Sequence, residues 1–299
     1  TYLVRQPAAD QPMARPTRVA LITTVAADPV PRPDERDRED LDTSAVAQGF
    51  AADVARTLRL FAERRTVPMS LAVSPETIER LAADERHTDL VADLRQEIDR
   101  PGRDLLGATY VPLDPATLVS AGLGDEIADQ AELGRQTLTS ALGSPGTDTW
   151  VVDTPIDVAS VEVLRTAGAA HLVLPSTALA TGATAAPVLL PSATGANAVA
   201  TDGLFDLTGP PPADPVLAAY QLLGRLAAVG SIAPGGAGIA IRVDPSAVSS
   251  RELATVLDQL DEPSSHLIPA TVSELFRDVP TTTDPVATLN PTLPADLGT

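Results

Sequence analysis

The 299-residue chain contains no cysteine, and all 21 of its basic residues are arginine. Without cysteine there are no disulfides, thiolate metal sites or cysteine nucleophiles, although the redox compartment stays open. Aromatic residues are scarce, one Trp, three Tyr and four Phe. The core must therefore be built from Ala, Val, Leu and Ile, which suits packed α/β layers. Positive charge is also short. Forty acids against 21 arginines leave a net charge of −19, spread over both halves of the chain, which argues against nucleic acid or an anionic lipid surface as a partner. No apolar run approaches the roughly 18 residues of a membrane span, and no secretory signal opens at Thr1, so direct membrane insertion by this segment is not expected. The three histidines, His87, His171 and His266, are far apart, and no two form a local pair on one helix face. No metal and no other cofactor is expected. His87 reads as solvated between helices, and His171 and His266 as structural residues at strand starts. No Gly-x-Ser-x-Gly elbow occurs, and Ser144-Pro145-Gly146 reads as a turn.

The most informative stretch is 148–175. Trp150, Val151 and Val152 form a short apolar run ended by Asp153, as expected of a parallel strand buried on both faces. Val158, Val161 and Leu164 then recur at helical spacing, Ala167-Gly168 stops the helix, and His171 to Leu174 reads as a second buried strand. Strand, helix and strand within so few residues describe a right-handed parallel crossover.

The rest of the chain repeats this alternation. Residues 1–17, interrupted by Pro7, Pro12 and Pro16, read as a linker arm. A strand at 18–25 runs into a long loop whose Asp34 to Asp42 stretch holds six acids and two arginines. That loop is read as solvated, with a lid over a site as the alternative. Val46, Phe50, Val54, Leu58 and Phe61 mark an amphipathic helix over 45–65. Further strands are expected at 67–73, 105–111, 149–153, 171–174, 188–190, 198–207, 238–243 and 266–270, with helical spacing after most of them. The Pro-rich stretch 279–299 reads as a second linker. Seven or eight alternations within 18–278 predict an α/β fold, a (β/α)7-8 barrel-like domain. A doubly wound open sheet is the alternative, but the first strand ends in Thr23-Thr24-Val25 without a Gly-rich turn.

In a barrel, chemistry sits where strands run into the following helices. The candidate binding residues there are Thr23, Thr24, Tyr110, Asp153, Asp157, Arg242 and Asp244. The candidate catalytic carboxylates are Asp153, Asp114 and Asp202. Ser74-Pro75, Asp114-Pro115 and Asp244-Pro245 each place a capping side chain before a proline, as an ordinary helix start requires, and are read as caps first. Asp153 is the best single site candidate, because Asp157 can cap the next helix in its place.

Val67-Pro68-Met69-Ser70-Leu71-Ala72-Val73-Ser74-Pro75, Tyr110-Val111-Pro112-Leu113-Asp114-Pro115, Trp150-Val151-Val152-Asp153, Leu164-Arg165-Thr166-Ala167-Gly168 and Leu267-Ile268-Pro269-Ala270-Thr271 together resemble the DUF6049 family of actinobacterial envelope proteins, over roughly residues 17–278. The resemblance implies a domain of a longer exported protein, extracytoplasmic and tethered to the cytoplasmic membrane, encoded beside the lipid II flippase. It also implies a cell-wall glycan or an envelope membrane protein as partner. The family's central part is similar to the glycoside hydrolase and polysaccharide deacetylase barrels. Such a deacetylase carries an Asp pair at the end of its first strand and a His-x-x-x-His motif for the metal that activates water. Here Thr23-Thr24 stands at the first position, and the His motif is absent. The expectation is a degenerate deacetylase-like barrel that binds without reacting. A divergent carboxylate-dependent glycoside hydrolase or polysaccharide deacetylase is the alternative.

Overall fold

In the computed structural model the residues described are 16–27, 43–179, 186–190, 195–201, 205–232, 237–262, 266–281 and 289. Asp202, the acidic stretch 34–42, and most of the expected arm and tail lie outside them. The elements alternate: β1 (Thr17–Val25), α1 (Thr43–Glu63), β2 (Met69–Val73), α2 (Pro75–Ala83), α3 (Thr88–Ile98), β3 (Arg103–Leu105), α4 (Pro115–Ser120), α5 (Gly124–Leu142), β4 (Thr149–Val151), α6 (Val158–Thr166) and β5 (His171–Pro175). They continue with β6 (Val188–Leu189), β7 (Asn197–Thr201), α7 (Pro215–Ile232), β8 (Ala237–Val243), α8 (Ser250–Asp261), β9 (Leu267–Ala270) and α9 (Val272–Asp278).

The sheet runs β3-β2-β1-β8-β7-β5-β4, with every pair along that path parallel. Its two end strands meet in a parallel bridge between Gly107 and Trp150. Around it Thr147 N–H donates to Leu105 O (2.8 Å) and Gly107 N–H to Thr149 O (3.0 Å). The path therefore curls back on itself as the (β/α)7-8 barrel the alternation predicts. Gly107 is required at the seam, since a Cβ there would lie 2.4 Å from Trp150 Nε1.

Strand pleating sorts the side chains. Val19, Leu21, Ile239 and Ile241 face outward and pack against the helices, among them Val54, Leu58 and Phe61 of α1. Ala20, Ile22, Leu106, Val173, Val199 and Ala240 face inward and form the barrel's interior with Val272, Leu275 and Val279. The barrel is thus filled at its lower end by α9. Thr271 caps α9 in a reciprocal box with Glu274. The next two amides donate to groups on the barrel wall, Val272 N–H to Ser70 Oγ (2.9 Å) and Ser273 N–H to Asp104 Oδ2 (3.0 Å). Phe276 stacks on His171 with ring centroids 4.5 Å apart.

Several expectations are corrected. The third strand is Arg103–Leu105 rather than 105–111: Leu106 and Gly107 still donate to Leu71 O and Thr149 O at the seam, and the chain then leaves the sheet so that Tyr110 hydrogen-bonds α2 and α5. His87 is buried, not solvated, in the angle between α2 and α3, with Nε2 3.8 Å from Asp84. The arm ends before Thr17, which is already fully buried in β1. The linker reading of 279–299 fails at Val279 and Leu289, both buried. Leu289 forms an antiparallel bridge with Leu179. Together with Ala178, Val188 and Leu190 it covers β5 and β7, whose connection shows no α-helix among the described residues.

Candidate functional site

The mouth is the end of the barrel at which the strands run into the helices. The structure gives its candidate residues different tasks. Thr23 is fully buried and faces the wall, its Oγ1 3.4 Å from Met69 Sδ. Thr24 is half-buried, one residue on and so on the inner face, opposite Ala72 in register. Asp114 caps α4, accepting from Thr117 N–H (3.2 Å) and Thr117 Oγ1 (2.8 Å). Asp157 caps α6, accepting from Ser160 N–H at 2.8 Å.

Asp244 does not cap a helix. It accepts from Ser246 N–H (2.8 Å) and Ser246 Oγ (2.7 Å), closing a turn, and α8 begins only at Ser250. The chain needs those intervening residues to pass from the mouth to the outer layer. Tyr110 is locked by its backbone between α5 and α2, with its N–H on Gln130 O (2.9 Å) and its carbonyl accepting from Glu76 N–H (3.1 Å). Its hydroxyl donates to the Glu79 carboxylate.

Two candidates meet. Arg242 follows Ala240 on the inner face of β8, in register with Ile22. Its guanidinium grips the Asp153 carboxylate with both terminal nitrogens, the Arg242 Nη2 to Asp153 Oδ2 contact measuring 3.0 Å. In strand order β8 and β4 are far apart around the ring, so this ion pair spans the mouth. The pair is unequal: the Arg242 side chain is 21% exposed and that of Asp153 57%.

Asp206, which the sequence reading missed, holds the arginine's own strand in place by accepting from Arg242 N–H at 2.8 Å. Its only sequence signal is a lone acid between Phe205 and Leu207. Asp153 thus bonds the Arg242 guanidinium, while Asp206 bonds the backbone N–H of the same residue. Among the described residues no three His, Asp or Glu side chains are grouped to hold a metal ion. No described helix is long and apolar enough to cross a membrane.

His171 and His266 lie at the opposite end. Burial pushes the His171 pKa below 6.5, helped by the Arg165 charge and opposed by Asp148. A shallow depression of about 240 Å³ beside Leu260, Glu262 and Pro269 is also at that lower end, remote from Arg242.

No family model and no curated protein matches the chain. Solved structures do. A putative polysaccharide deacetylase from Mycobacterium smegmatis superposes with a TM-score of 0.67 at 17% identity, over 98% of this chain and 99% of that one. The chain has a deacetylase-like barrel fold. The 4-alpha-glucanotransferase of Thermococcus litoralis matches with a TM-score of 0.67 at 15% identity, over 93% of this chain, which spans only 42% of that enzyme's length. A CE4 family pseudoenzyme from Bacillus anthracis matches with a TM-score of 0.50 at 13% identity, over 88% and 66% of the two chains. The deacetylase-like barrel is therefore a fold that both deacetylases and glycan-processing enzymes use, and at these identities it leaves the chemistry to the mouth residues.

Proposed function

We propose that this barrel is non-catalytic and serves as a glycan- or protein-binding module in the actinobacterial cell envelope. It is displayed at the outer face of the cytoplasmic membrane by a longer DUF6049-type chain and acts in peptidoglycan biogenesis alongside the lipid II flippase. The observation that carries the reading is the Arg242 and Asp153 pair. Hydrolysis by a deacetylase needs free carboxylates and a metal that activates water, whereas here the exposed candidate acid Asp153 is paired with an arginine. At the end of β1, where the resemblance to deacetylases implies an Asp pair, Thr23 is turned into the wall. The Bacillus anthracis pseudoenzyme supports the idea that this fold persists without its reaction.

The test assays the purified chain against acetylated glycans and peptidoglycan fragments with added zinc, beside calorimetry on the same compounds. Binding without turnover is expected. Turnover that disappears with chelator, or in Asp153→Asn, would overturn the proposal.

A further inference from the structure

Among the described residues, no arginine other than Arg242 lies at the mouth end of a strand or in the connection that follows it. Its strand is fixed by Asp206 and by seven register positions against β1. Its Nε is buried and has no hydrogen-bond partner. Asp153 differs in every respect. It is more than half exposed, it bonds nothing but Arg242 among the described residues, and it has no capping duty because Asp157 fills that role. A fixed guanidinium therefore faces a carboxylate that can swing into water with no other bond to break.

We infer that Asp153 is an exchangeable occupant of Arg242, and that the mouth takes a sugar bearing one carboxylate, which displaces Asp153 and forms the same two-pronged contact. This inference rests on the glycan-binding half of the proposed function. Planar bidentate pairing is the geometry that guanidinium and carboxylate share. A single charge is specified by the surroundings. Asp114, Asp157, Asp206 and Asp244 line the mouth of a chain with net charge −19, so a dianion or polyanion would be repelled. A sugar body is specified by the displaced residue, because a freed Asp153 carboxylate is an acceptor for ring hydroxyls while Arg242 holds the acid.

The experiment is calorimetry at neutral pH with a disaccharide containing N-acetylmuramic acid and its neutral counterpart diacetylchitobiose, and with a short peptide whose C-terminus is free. Arg242→Gln is expected to weaken the acidic disaccharide by about tenfold or more, and Arg242→Lys by less, since it keeps the charge but not the fork. Asp153→Asn is expected to tighten it by about two- to fivefold, because an internal competitor is removed. The neutral disaccharide should respond to none of these changes. A thermal melt of each variant guards against misfolding. If the wild type binds both disaccharides equally, or if Asp153→Asn weakens the acid, the exchange is refuted while glycan binding stands. If the peptide alone shows the expected pattern, the assignment to a sugar is wrong. If no sugar binds, both the inference and the glycan reading fall.

Discussion

The two ends of this barrel are built on opposite plans. The lower end is shut by α9, which inserts Val272 and Leu275 among interior side chains, bonds Ser70 and Asp104 through its first amides, and stacks Phe276 on His171. A Cβ on Gly238 would come within 2.5 Å of Leu275 Cδ2, so the closeness of α9 to β8 depends on that glycine. Among the described residues the mouth is crossed by one partly exposed ion pair. Apolar packing at one end and rearrangeable polar contacts at the other separate the residues that hold the fold from those that can meet a ligand.

If that division holds, the largest loss should follow from Leu275→Ala, about 2–5 kcal/mol for a fully buried leucine, read by denaturant unfolding. A loss well under 1 kcal/mol would mean that α9 is only loosely seated. Next come the caps: Asp157→Ala and Asp114→Ala should each cost about 0.5–2 kcal/mol in thermal melts. Asp244→Ala should cost less than either, because it closes a turn and starts no helix.

A smaller effect depends on pH. Because burial depresses the His171 pKa below 6.5, the unfolded chain takes up the proton first. The stabilisation is complete above about pH 6.5 and is lost as the pH falls through the lower native value. Glu252, whose pKa burial raises above 4.5, acts in the opposite sense. The slope should therefore be compared between wild type and His171→Gln between about pH 7.5 and about pH 5.5, and the wild type should show the steeper fall. The smallest effect belongs to the mouth: Asp153→Asn should change stability by no more than about 1 kcal/mol, as for a partly exposed ion pair. A larger loss would make the pair a structural brace and erase the contrast between the two ends.

The parts of this division legible in the sequence are those written as periodicity. The spacing of Val54, Leu58 and Phe61 gives the inner face of α1, and the run at Trp150 gives a buried parallel strand, because each pattern reports local geometry directly. The proline after Asp114 likewise marked a true helix start. The same signature at Asp244-Pro245 misled, since a proline after an acid fits a turn as well as a helix, and only the path of the chain decides between them. His87 looked solvated because its sequence neighbours are polar, yet tertiary packing of two helices buries it. The meeting of Arg242 with Asp153, 89 positions apart, and the support from Asp206 depend on the curling of the whole sheet, which no local pattern encodes.

The bridge between Leu289 and Leu179 bears on how this domain would carry mechanical load. A pull on the chain beyond residue 289 reaches that clasp before it reaches α9, because the clasp comes later in the sequence. Tension must first peel Leu289 from the face of β5 and β7 before any of it acts on the helix that stoppers the barrel.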